Sequence, residues 1–204
     1  MTGGTFWLTG ILDVAGIAVF AMSGALMAAR ARQTMVTFAF FAAVTGMGGG
    51  TVRDLLIGAP VFWMHEPIWI ATCLSVAVLV WFLPNRMWPV RAVEWCDAVG
   101  LAAYSVYGAA KALQYGIPPL PAAVMGVVTA CLGGIFRDVL AGVPSIVIRP
   151  EIYVTAAAAA AAGFVVLVWA GLPMIVAALI AAPAGFALRA LAIARGLALP
   201  AYRR

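Results

Sequence analysis

The sequence predicts an all-α polytopic membrane protein: seven transmembrane helices, arranged as two inverted three-helix repeats plus a seventh helix, with glycine kinks in helices 2 and 5. Three observations predict this class. Of 204 residues, 66% are hydrophobic and only 9% charged, with a mean hydropathy of +1.09, outside the mixture of a soluble domain. Apolar runs of the about 20 residues that cross a bilayer follow one another almost end to end. The chain also matches itself at a displacement of 84 residues.

Hydropathy and breakers place the spans in order. Helix 1 covers about Phe6–Ala29 and ends at Arg30; no basic stretch precedes it as in a secretory signal, so it is expected to remain. Helix 2, Met35–Ile57, stops at Gly58 and Pro60. Helix 3, Pro67–Phe82, opens on one proline and ends before Pro84. Helix 4, Ala92–Tyr115, is closed by Gly116 and two prolines, and helix 5, Leu120–Ala141, by Gly142 and Pro144. Helix 6, Glu151–Ala170, carries the alanine run 156–162, a smooth face for close packing. Helix 7, Pro173–Ala194, precedes Arg195 and Gly196. Residues 1–204 then form one transmembrane domain, with repeat 1 over about 6–88, repeat 2 over about 92–172 and helix 7 over about 173–194.

The repeat is the sharpest signal. TGMGGGTVRDLLIGAP at 45–60 aligns without a gap on TACLGGIFRDVLAGVP at 129–144, with eight of sixteen positions identical. The same register pairs Asp13 with Asp97, Gly16 with Gly100, Gly24 with Gly108 and Trp69 with Tyr153. Three spans per unit is an odd number, so the second unit enters the membrane from the opposite side, as in an inverted-topology repeat. Basic residues then set the orientation. Arg30, Arg32, Arg86, Arg91, Arg149, Arg189, Arg195, Arg203 and Arg204 gather on one side against Lys111 on the other, which puts the N-terminus outside and the C-terminus in the cytoplasm.

Composition also excludes. The net charge of +5 is spread over connections and the tail, so no nucleic-acid surface is expected. Cys73, Cys96 and Cys131 lack metal-ligand spacing and read as small buried hydrophobes. His65 is the single histidine, which leaves little for a catalytic triad or a histidine metal site. No enzyme, resident metal or cofactor is expected.

Glycine and charge in helices 2 and 5 mark the candidate site. Gly48, Gly49 and Gly50, and Gly133 and Gly134 in the second repeat, suit either close helix approach or unwinding that turns backbone groups toward a wet cavity. Just beyond them lie Arg53-Asp54 and Arg137-Asp138. Ionisable groups deep in a span cost about 2.5–3.5 kcal/mol on insertion scales and are paired or face a hydrated interior, unless they snorkel to the interface. Adjacent helical residues point about 100° apart, so each charge is expected to need a partner other than its neighbour: Asp13 for Arg53 and Asp97 for Arg137. Lys111, whose repeat equivalent is Met27, breaks the symmetry and is a gating candidate, either snorkelling or closing the path by pairing with an acid.

Two three-helix repeats carrying GGGTVRD and GGIFRD, followed by a seventh helix, resemble the prokaryotic trimeric intracellular cation (TRIC) channel family, including bacterial membrane proteins described as glycine-transporter-like. The resemblance covers nearly the whole chain. It implies a homotrimer in the lipid bilayer of a prokaryotic inner membrane, each protomer with its own pore lined by kinked helices 2 and 5 and permeable to K⁺ and other monovalent cations such as Na⁺. Carried over by position, the kinks fall on Gly48, Gly49, Gly50, Gly133 and Gly134, and the charged pairs on Arg53-Asp54 and Arg137-Asp138. Lys111-Ala112-Leu113 stands where animal relatives have Lys-Glu-Val, so phosphoinositide binding is not expected, although other bound lipid is compatible. The competing function is a secondary transporter of a small solute such as glycine, built on the same inverted repeats.

Overall fold

The computed structural model describes residues 3–83, 87–89 and 91–200, with side chains from Val14 onward. Seven α-helices follow in order: α1 (Gly3–Arg30), α2 (Met35–Leu56), α3 (Ile68–Phe82), α4 (Ala92–Gln114), α5 (Pro119–Leu140), α6 (Val154–Trp169) and α7 (Met174–Arg195). Each predicted span is one of these helices. The largest N-terminal retreat is in α6, which begins at Val154 rather than Glu151, because Glu151 forms an isolated antiparallel bridge with Ala198. Two 3₁₀ turns that the hydropathy pattern did not reveal, Phe62–Met64 and Ile146–Ile148, occupy equivalent positions in the two repeats.

Helix contacts establish how the repeats are related. Gly49 of α2 lies against the backbone of Thr129 in α5, and Gly133 of α5 lies against the backbone of Thr45 in α2. Gly49 and Gly133 are repeat equivalents, as are Thr45 and Thr129, so the contact is reciprocal in the way a two-fold axis demands. Residue numbers rise along one helix as they fall along the other, which makes the pair antiparallel. The α1–α4 contact repeats the pattern, with Gly16 against the Tyr104 ring and Gly100 against the Phe20 ring. Those rings meet edge to face, 5.5 Å between centroids. An axis that exchanges antiparallel helices runs across them, and the two three-helix repeats are therefore inverted.

The glycines serve close approach. Side chains added at Gly49 and Gly133 would overlap the facing carbonyl oxygens, whereas glycine lets the backbones touch, the packing available to helices that gain nothing from hydrophobic association in lipid. Of the two uses open to these glycines, close approach is the one realised, with α2 α-helical through Gly48, Gly49 and Gly50, and α5 through Gly133 and Gly134. The physical reason is that each glycine already has a neighbour filling its open side, so the backbone need not open toward water.

Helix α7, which has no repeat equivalent, packs on α4 and α6, where Gly185 sits against Ala160 of the alanine run. The outer surface is apolar: Val36, Phe82, Leu120 and Trp169 are 79%, 74%, 77% and 81% exposed. Met35–Leu56, Pro119–Leu140 and Met174–Arg195 are each long and apolar enough to cross a bilayer. Large side chains facing outward along such helices are what hydrocarbon requires and water does not tolerate; this is a multi-pass membrane protein.

Candidate functional site: two buried arginine–aspartate clusters

The last turns of α2 and α5 bring charge into the bundle at its two opposite ends. Asp54 and Asp138 play the same local part. Asp54 Oδ2 accepts the Phe62 N–H (3.1 Å) and Asp138 Oδ2 accepts the Ile146 N–H (2.8 Å). The carbonyls of the same two aspartates accept from Ala59 N (2.8 Å) and Val143 N (3.1 Å). Each aspartate thus ties the end of its helix to the 3₁₀ turn beyond it, so polar backbone groups that lipid would leave unsatisfied find partners within the chain.

Against expectation, each arginine also pairs with the aspartate that follows it. Arg53 reaches Asp54 Oδ1 through Nε and Nη2, both at 2.8 Å, and Arg137 reaches Asp138 Oδ1 through Nε at 2.9 Å and Nη2 at 2.8 Å. The long arginine side chain curls around the helix and compensates for the angle between neighbouring positions. Gly50 and Gly134, one turn before each arginine, make room for the aromatic side chains beside the clusters: a Cβ there would come within 2.8 Å of the Phe62 ring and 2.9 Å of the Tyr153 hydroxyl. These charges do not snorkel, since Arg53, Asp54, Arg137 and Asp138 are all buried.

The clusters differ in their third partner. Arg137 Nη1 donates to Asp97 Oδ1 at 2.6 Å, the pairing that repeat symmetry suggested, and also to Ser23 Oγ. Ser23 Oγ donates to Asp97 Oδ1 at 2.9 Å and the Tyr153 hydroxyl to Asp97 Oδ2 at 3.1 Å. In the other cluster Lys111 Nζ holds Asp54 Oδ1 at 2.8 Å, so the lysine neither snorkels nor stands free. The Arg53 guanidinium lies over the Tyr107 ring, 5.0 Å from its centroid; Tyr107 is the repeat equivalent of Ser23. Arg53 Nη1 and Thr45 Oγ1 have no hydrogen-bond partner among the described residues. The side chain of Asp13 lies outside the described residues, and its expected pairing with Arg53 with it.

Sequence reasoning missed several members. Ser23 and Tyr107 are polar groups at matched positions that only the helix crossing brings to the arginines. Arg189, read as a topology signal, is instead buried in α7. It donates to Glu151 Oε2 at 2.8 Å and to the Ile152 carbonyl at 3.2 Å, and its Cζ lies 5.3 Å from the Tyr153 ring centroid. A usable signal was present: Glu151 is an acid with no charged repeat equivalent, and Arg189 stands within an apolar helix. Through Tyr153 this pair joins α7 to Asp97. Beside Arg53 a cavity of about 30 Å³, lined by Ile17, Phe62, Trp69, Tyr104 and Tyr107, has room for about one water molecule. Cys73 and Cys131 are buried free thiols, and among the described residues no histidine, cysteine and carboxylate groups cluster to hold a metal.

Comparison with known proteins gives this arrangement a family. A family model described as Glycine transporter matches residues 10–85 and again 94–170. The chain is 42% identical over 151 residues to the UPF0126 membrane protein of Vibrio cholerae and 40% identical over 150 residues to the UPF0126 inner membrane protein YadS of Escherichia coli. Those alignments take in 72% and 71% of this chain; they span 62% of the length of the first relative and 72% of the second. Among solved structures, the TRIC trimeric intracellular cation channel orthologue from Rhodobacter sphaeroides superposes with a TM-score of 0.86 at 43% identity, over 93% of this chain and 99% of that one. A second TRIC cation channel gives 0.84 at 25% identity, over 96% and 97%. With the family match repeated in both halves and this identity over nearly the full length, the chain belongs to the prokaryotic TRIC channel family, whose glycine-transporter unit it carries twice.

Proposed function

We propose that each protomer is a monovalent-cation channel permeable to K⁺ and Na⁺, its path lined by α2 and α5 alongside the crossing of Gly48, Gly49 and Gly50 with Gly133 and Gly134. One observation carries the reading: buried Arg–Asp clusters stand at opposite ends of an antiparallel, glycine-mediated crossing, in a chain 43% identical to a TRIC channel orthologue. Arg53, Asp54 and Asp13 belong to the outer mouth, Arg137, Asp138 and Asp97 to the inner one. With two carboxylates to one arginine, the inner cluster favours cations. At the outer mouth Asp54 is neutralised by both Arg53 and Lys111, and a water-sized space beside Arg53 does not admit hydrated K⁺, so this is a closed arrangement that opens when Lys111 leaves.

Three protomers form a homotrimer in the inner membrane, with the N-terminus outside and the C-terminus cytoplasmic; the basic residues on one side and the inner-membrane relative support that placement. The test is purified protein in a planar bilayer under a KCl gradient. Discrete unitary currents reversing toward the potassium potential are expected. Saturable, competable glycine uptake into liposomes without unitary steps would instead establish a secondary transporter, the reading that the matched family's description favours.

A further inference from the structure

A groove of about 280 Å³ opens where α1 ends and α2 begins, walled by Arg32, Gln33, Phe38, Val80, Trp81 and Leu83. Phe38 of α2 and Trp81 of α3 meet edge to face, ring centroids 5.0 Å apart, and build its apolar wall. Arg32 and Gln33 form the polar end. The Gln33 side-chain nitrogen donates to the Ala31 carbonyl, which leaves its oxygen as the acceptor of the pair. Arg32 is exposed and makes no ion pair among the described residues. Among the described residues no carboxylate lines the groove.

The backbone at Arg32 makes its side chain conspicuous. Its φ is 51°, in the left-handed region that L side chains disfavour, and every other described residue with positive φ is glycine. The turn closes α1 through Arg32 N–H to the Ala29 carbonyl and Gln33 N–H to the Ala28 carbonyl, a task for which glycine is the usual residue. Repeat 2 makes the same turn with Gly116, φ 78°. One molecule thus contains both versions, and only the version on its basic side carries a charge. The apolar wall differs as well: the equivalents of Val80 and Trp81 are Phe164 and Val165, which are buried with Ala177 and Ala181 of α7. Val80 is buried within repeat 1 itself, but Trp81 is 41% exposed where its equivalent Val165 is 7% exposed, so the part of the wall that α7 covers in repeat 2 is open at Trp81 in repeat 1.

We propose that this groove binds an anionic glycerophospholipid of the adjoining leaflet, its phosphate on the Arg32 guanidinium, a headgroup hydroxyl on the Gln33 oxygen and an acyl chain along Phe38, Val80 and Trp81. The lipid fills in repeat 1 the place that α7 takes in repeat 2, and braces the α1–α2 turn. The charge supplies the preference for anionic headgroups and the aromatic wall supplies the preference for lipid over free phosphate.

The test uses the full-length protein in detergent, with thermal unfolding and native mass spectrometry read as phosphatidylglycerol, phosphatidylcholine or inorganic phosphate is added. Phosphatidylglycerol is expected to raise the unfolding temperature and remain bound, with phosphatidylcholine weaker and phosphate without effect. Arg32→Gly should unfold no lower than the parent without lipid, because it relieves the turn, yet bind phosphatidylglycerol about fivefold more weakly, the effect of one basic contact at a membrane surface. Arg32→Gln, which keeps the backbone conformation and removes the charge, should lose the same response. A full phosphatidylglycerol response in both variants, equal responses to the two lipids, or reproduction by phosphate alone overturns the proposal. A changed oligomeric mass in Arg32→Gln without any lipid dependence overturns it too, in favour of a neighbouring copy in the groove.

Discussion

Asp97 is the side chain on which the second cluster depends. It accepts from Arg137, Ser23 and Tyr153, and it is fully buried. Asp97→Asn leaves Arg137 paired with Asp138 but removes the charged acceptor shared by Arg137 Nη1, Ser23 and Tyr153. It should therefore lower stability by about 1.5–3 kcal/mol, the worth of a buried hydrogen bond to a charged group, in denaturant unfolding of the detergent-solubilised protein. Lys111 makes a milder case. Asp54 keeps Arg53 and the Phe62 N–H when the lysine is gone, so Lys111→Met, the residue of the equivalent position in repeat 1, should change stability by less than about 1 kcal/mol. The same variant should raise open probability in bilayer recordings, and an open probability unchanged at every voltage would remove Lys111 from the gate. Of these contacts, the Arg137–Asp97 pair was legible because symmetry and charge both pointed to it. The Arg–Asp pairs of adjacent residues were not, because the reach of an arginine depends on the space beside its helix.

Helices α2 and α5 show what the glycines contribute. At Gly49 any side chain would run into the Thr129 carbonyl, and at Gly133 into that of Thr45. Backbone cannot step aside as a flexible side chain can, so Gly49→Val should force the helices apart. Overpacking of this kind costs about 1–3 kcal/mol, and in the proposed channel it should also abolish unitary currents. Gly163 in α6 is the control, since a Cβ there meets nothing within 4 Å. Gly163→Ala should stabilise by about 1 kcal/mol, the propensity difference between the two residues in a helix. Equal destabilisation by both variants in thermal unfolding would mean that close approach is not what the α2 glycine provides. The hydropathy pattern found all seven helices, but it could not distinguish packing from unwinding, because both uses call for the same residue.

At the scale of the whole molecule the inverted repeats are equivalent in fold and unequal in charge. Among the described residues the first cluster sets Arg53 and Lys111 against Asp54, and the second sets Arg137 against Asp97 and Asp138. A path through both would meet a cation-repelling end and a cation-attracting end. Because each carboxylate oxygen of Asp54, Asp97 and Asp138 is already hydrogen-bonded, no bare carboxylate ring remains among the described residues to strip a particular ion of its water. The expected result is preference for cations over Cl⁻ with little choice between K⁺ and Na⁺, read as a bi-ionic K⁺/Na⁺ reversal potential near zero. A reversal shifted by a tenfold permeability ratio would require a selective filter elsewhere in the path.

Hydrophobic run lengths dictate seven spans, and the self-match at one displacement dictates that three of them are repeated upside down; both are properties of order along the chain, which hydrocarbon reads directly. Where Ser23, Tyr107, Tyr153 and Arg189 meet the charged pairs was settled only by the crossing of helices distant in sequence. Tertiary packing, by backbone at Gly49 and Gly133 and by side chains at Gly48, Gly50 and Gly134, also decided that these glycines remain wound, and that α7 covers one repeat while the other keeps a groove at Arg32.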